Sequence, residues 1–98
     1  MKFYKHIYLC KKAKNFKEIK RGFKARTLYA VCFNQNSKNI FDIWRYNELL
    51  KTKNNYLVIA ILESKESAFL FVRQVFENYL AQNGSLKGIR DFYDLYCR

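Results

Sequence analysis

Proline is absent from this 98-residue chain, and glycine occurs only at Gly22, Gly84 and Gly88. A chain so poor in both is neither a linker nor a loop-built scaffold, and it has no glycine loop to cradle a phosphate. The three cysteines, Cys10, Cys32 and Cys97, are an odd set with no close pair. That fits the reduced thiols of a cytoplasmic protein better than a disulfide framework. Histidine occurs once, at His6, so with scattered cysteines it cannot complete a tetrahedral zinc site. No Ser-His-Asp or Cys-His set stands at a recognisable spacing. Glu63, Glu66, Asp91 and Asp94 are too dispersed to suggest paired catalytic carboxylates. The longest apolar run, residues 56–62, is far too short to cross a bilayer, and Lys5 and His6 interrupt any apolar signal segment. No cofactor or metal is expected.

Acidic residues are nearly absent from the first 26 positions. That segment carries Lys2, Lys5, Lys11, Lys12, Lys14, Lys17, Lys20, Arg21, Lys24 and Arg26 against Glu18 alone, a net of +9. The other 72 residues hold nine bases and seven acids, a net of +2. A nearly neutral body with a basic front edge attracts polyanions. The body itself should fold: 50% of the chain is hydrophobic and 18% aromatic, enough for one modest core in a single domain, residues 1–98.

Residues 3–9 read as a strand, with Phe3, Ile7 and Leu9 on one parity and Lys5 breaking the pattern. Ala13, Phe16, Ile19 and Phe23 recur at intervals of three and four, which predicts an amphipathic helix over 11–24. Its opposite face carries Lys14, Lys17, Arg21 and Lys24, flanked by Lys11 and Lys20, and Gly22 is a stop signal. Residues 27–33 are rich in β-formers. After a polar turn at 34–39, residues 39–45 are read as a strand closing a hairpin, although a helix face explains Ile40, Phe41, Ile43 and Trp44 about as well. A short helix at 46–51 follows.

Residues 56–62 are apolar on both parities, the mark of a central, covered strand. Ser64 caps a long helix over 65–82, with Glu66 in its first turn and Gly84 at its end. Ala68, Phe69, Val72, Val75, Phe76, Tyr79 and Leu80 form its expected core stripe. Leu70 and Phe71 fall beside that stripe, as a wide core edge or an oligomer contact. Leu86, Ile89, Phe92, Tyr93 and Tyr96 predict a short terminal helix. The order predicts an α+β fold, a two-layer sandwich with a mixed sheet of three or four strands.

Residues 39–43 (Asn-Ile-Phe-Asp-Ile), 47–50 (Asn-Glu-Leu-Leu), 58–61 (Val-Ile-Ala-Ile) and 66–72 (Glu-Ser-Ala-Phe-Leu-Phe-Val) carry a resemblance. In these stretches the chain resembles a group of short proteins from low-GC Gram-positive bacteria. The resemblance covers about half of the chain and implies a fold and a bacterial lineage, without an activity.

The functional expectation is a small basic binding module, more a binder than an enzyme, that contacts nucleic-acid backbone through Lys11, Lys14, Lys17, Lys20, Arg21 and Lys24. Tyr4, Tyr8 and Phe23 are aromatics that would stack on bases if exposed. Partners compatible with this charge are DNA, RNA or an acidic protein surface; a homodimer is a further possibility, through Leu70 and Phe71. Two alternatives stand beside it. One is a protein-binding inhibitor or adaptor of the mobile-element type, using the surface around Trp44, Arg45 and Tyr46 or the long helix. The other is a toxin-like ribonuclease with His6, Tyr8 and Arg26 as its working residues, on fold analogy alone. Cys10, before Lys11 and Lys12, has the setting of an activated thiol if a helix starts there.

Overall fold

The structure, a computed structural model, describes residues 1–13, 15–22, 24–33, 40–52 and 56–94, apart from the side chains of Arg90 and Asp94. Four strands form one mixed sheet: β1 (Lys2–Leu9), β2 (Tyr29–Phe33), β3 (Asp42–Arg45) and β4 (Leu57–Leu62), in the spatial order β1-β4-β2-β3. β4 runs parallel to β1 and antiparallel to β2, and β2 pairs antiparallel with β3. The helices are α1 (Phe16–Lys20), α2 (Tyr46–Leu50), α3 (Lys65–Asn83) and α4 (Ile89–Asp94).

β4 is central and buried along its whole length, as its unbroken apolar run predicts. Its side chains do not alternate strictly. Cys32 of β2 pairs with Val58, and the next residue back, Val31, pairs with Ala60, so Ile59 is an extra residue. This bulge sends Ile59 and Ala60 to the same face. Beyond it, Ile61 returns to the face of Val58 and Leu62 to that of Leu57. β1 is irregular in the same region: Phe3 pairs with Val58 but Tyr8 with Ala60.

Both faces of the sheet are covered, so the molecule has three layers instead of the two expected from element order. One face, with Phe3, Leu28, Ala30, Cys32, Val58 and Ile61, packs against α1, α2 and the turns around α1. The other, with Val31, Phe33, Leu57, Ile59 and Leu62, packs against α3 and α4. α3 begins at Ser64, whose Oγ accepts from the Ser67 N–H, and ends at Gly84 with φ of +75°. α4 is held by Tyr93, whose ring lies 4.8 Å from that of Tyr4, 5.9 Å from Phe41 and 6.2 Å from Phe33.

The expected helix over 11–24 is not continuous. A 3-10 turn at Lys11–Ala13, the five residues of α1 and a second 3-10 turn at Ala25–Thr27 replace it. The side chain of Asn15 is the reason. Its Oδ1 accepts from the N–H groups of Lys17 and Glu18, which starts a new helix where the old one would have continued. Gly22 at φ +87° and Lys24 at φ +55° then reverse the chain. The apolar stripe still points inward, with Ala13 and Ile19 buried and Phe16 packed on the core, because three short turns preserve the same spacing.

α2 locks this layer. Tyr46 is fully buried and its hydroxyl donates to the Ile19 carbonyl at 2.7 Å, at the end of α1. The same carbonyl accepts from the Gly22 N–H at 3.0 Å, so Tyr46→Phe removes one of its two bonds and is expected to cost about 0.5–1.5 kcal/mol. The check is a urea melt with an unchanged m-value and a lower midpoint. Burial also pushes the Tyr46 phenol up to about 12, and burial with the neighbouring Tyr4 does the same for Tyr93. Both are acids whose pKa is raised in the folded state. Their stabilisation is therefore complete below the unfolded value of 10 and lost as pH rises from there through 12. Tm is expected to hold to pH 10 and then fall, less steeply in Tyr46→Phe than in the parent.

Candidate nucleic-acid interface

The broken helix changes how the bases are displayed. Lys11 and Lys12 stand on the first 3-10 turn, Lys17 and Lys20 on α1, Arg21 and Lys24 in the reversal, and Arg26 on the second 3-10 turn. All seven are exposed. Instead of one row along a helix they cover the outside of the layer that closes the Tyr46 face of the sheet. Lys14 and Phe23 lie outside the described residues. Lys20 sits with its Nζ 5.7 Å from the centre of the Phe16 ring, which also lies 5.2 Å from the Phe3 ring.

One base was not foreseen in this set. A Cβ placed on Gly22 would lie 3.1 Å from Leu50 Cδ1, so the end of α2 touches the reversal after α1. Lys51, exposed at the C-cap of α2, is thereby brought beside the Arg21–Lys24 bend. No local sequence signal announces this, because the contact is tertiary.

The aromatics expected among these bases are elsewhere. Tyr4 is half-buried against Tyr93. Tyr8 is exposed, but its ring faces Phe71 of α3 at 5.5 Å, on the opposite side of the sheet from the basic layer. His6 sits on β1 with its ring edge-on to Tyr4, while Arg26 belongs to the basic layer, so His6, Tyr8 and Arg26 are not gathered into one site. Trp44 packs against the core and edge-on to Tyr56 at 5.6 Å, Arg45 lies over the Tyr29 ring and donates to its hydroxyl, and Tyr46 is interior. Of the three, Trp44 is half-buried, Arg45 is exposed and Tyr46 is buried.

Cys10 and Cys32 are buried. Burial, and then the charge of Asp42, push the Cys32 thiol far above its ordinary range, which leaves no thiolate for nucleophilic work. Cys97 and Tyr96 lie outside the described residues. Among the described residues, no three His, Cys, Asp or Glu side chains come together as a metal site, and no helix is long and apolar enough to cross a membrane.

A concavity lies where the parallel strands β1 and β4 end. β1 leads into the basic layer on one face and β4 into α3 on the other, which opens a crevice between them. The cleft, about 310 Å³, is bounded by Tyr8, Cys10, Leu62, Glu63, Ser67, Leu70, Phe71 and Gln74. It offers ring faces and three polar side chains, and it adjoins Lys11 in the chain. No protein family, curated protein or solved structure matches this chain.

Proposed function

We propose that the protein is a small cytoplasmic binding module whose basic layer holds nucleic-acid backbone. Lys11, Lys12, Lys17, Lys20, Arg21, Lys24 and Arg26 supply the charge, with Lys51 at the margin and Lys14 in the same segment of the chain. The carrying observation is that Lys11, Lys12, Lys17, Lys20, Arg21, Lys24 and Arg26 are all exposed on this layer, with Glu18 the one acid in residues 11–26. Lysines and arginines displayed in this way neutralise phosphates and release counterions, without reading bases. The apolar inner side of the same turns fixes them to the sheet through Ala13, Ile19 and the Tyr46 hydrogen bond. The site is therefore held on a rigid support and not on a loose tail.

The test is titration of labelled single- and double-stranded DNA and RNA across a salt series. Steep loss of affinity with salt, with little dependence on base sequence, is the expected result. Absence of binding at low salt overturns the reading.

A further inference from the structure

α3 is nineteen residues long, yet only Ala68 is fully buried. Phe71, Val72, Val75, Phe76 and Tyr79 are half-buried on its inner side. On the outer side Phe69, Leu70 and Leu80 are 57%, 58% and 42% exposed. Between the two leucines lies the ion pair of Arg73 and Glu77, 3.0 Å apart and 75% and 62% exposed. Leu70, Arg73, Glu77 and Leu80 follow at steps of three, four and three, so they form one stripe along the helix.

That stripe is self-complementary. Leu70 and Leu80 are each five residues from Val75, and Arg73 and Glu77 each two. In an isologous contact, residue i meets j and j meets i. An antiparallel pair of α3 helices crossing at the level of Val75 satisfies that condition at every step. Leu70 meets the partner's Leu80, and Arg73 meets the partner's Glu77. The two intrahelical ion pairs merge into a four-charge array, and the helix dipoles oppose. No like charges meet.

We infer that the outer face of α3 is a two-fold contact between two copies of this chain. The stripe is on the opposite side of the sheet from the basic layer, so the inference goes beyond the nucleic-acid reading and does not depend on it. The contact runs for about 15 Å, at a rise of 1.5 Å per residue between Leu70 and Leu80. It belongs at the small end of specific interfaces. Association should therefore emerge with concentration, over a range from about 1 μM to about 1 mM.

Sedimentation velocity of the full chain without nucleic acid tests it, at physiological salt so that repulsion between two bodies of net +11 is screened. The parent is expected to shift from monomer to dimer. Arg73→Glu and Glu77→Arg, both at exposed positions, should each stay monomeric while circular dichroism shows them folded. Mixed one to one, they should dimerise, because each supplies the charge that the other repels. The double variant, with the two charges exchanged, should dimerise alone. A parent monomeric throughout, a dimer indifferent to either reversal, or single variants that fail to pair on mixing would overturn the contact.

Discussion

The triple variant Lys17→Glu, Lys20→Glu, Arg21→Glu is expected to lose polyanion affinity by more than about a hundredfold at low salt while keeping its fold. The three side chains are exposed and none belongs to the core, so the helix and its cap at Asn15 survive. Six or seven phosphate contacts give a steep salt dependence, with affinity falling about a thousandfold or more between 50 and 200 mM salt. Each contact removed should lower the slope of log affinity against log salt by about one. Reversal does more than removal, since it places three acids beside Glu18 and repels the backbone. Measured slopes for parent and variant separate this face from the rest of the chain. An unchanged slope would move the binding surface elsewhere.

Ile61→Ala is expected to cost about 2–5 kcal/mol, a large share of the total stability of about 5–15 kcal/mol that domains of this size possess. Ile61 is fully buried between Leu9 of β1 and Ala30 of β2. Its hydrogen-bonded neighbours hold β4 on both sides, so the backbone cannot close on the space. Ala30 is too small to swing into it. Denaturant unfolding should show a lower midpoint. Ile61→Val removes a single methylene and should lose about 0.5–1.5 kcal/mol.

Much of this architecture was legible in the residues. The doubly apolar run of β4, the Ser64 cap, Gly84 after α3 and the strand-then-helix passage from Asp42 to Leu50 all appear where local chemistry puts them. What was not legible depends on competition or on distance. The charged segment has helical periodicity throughout, but one asparagine at position 15 offers its oxygen to the backbone and divides it. The bulge at Ile59 is hidden because every residue around it is apolar and fits either face. On α3 the apolar positions outnumber those the sheet can take. The face settles around Ala68, Phe71 and Val75, which excludes Phe69 and Leu80, counter to the expected stripe, and takes in Phe71 as a core edge while Leu70 stays exposed. For the binding site, the residues carrying charge were readable. Their arrangement as a layer, and the approach of Lys51, are products of tertiary packing.

The sheet ends on β1 and β3, and open strand margins are where soluble proteins recruit one another into fibrils. Neither margin here makes a good template. β3 is only four residues long and carries Asp42 and Arg45 at its ends. β1 is longer, but its pairing breaks between Phe3 and Tyr8, and the interruption holds the exposed Lys5 and His6. The exposed Lys5 and His6 on β1 are the kind of feature that disfavours strand-to-strand association at a sheet margin.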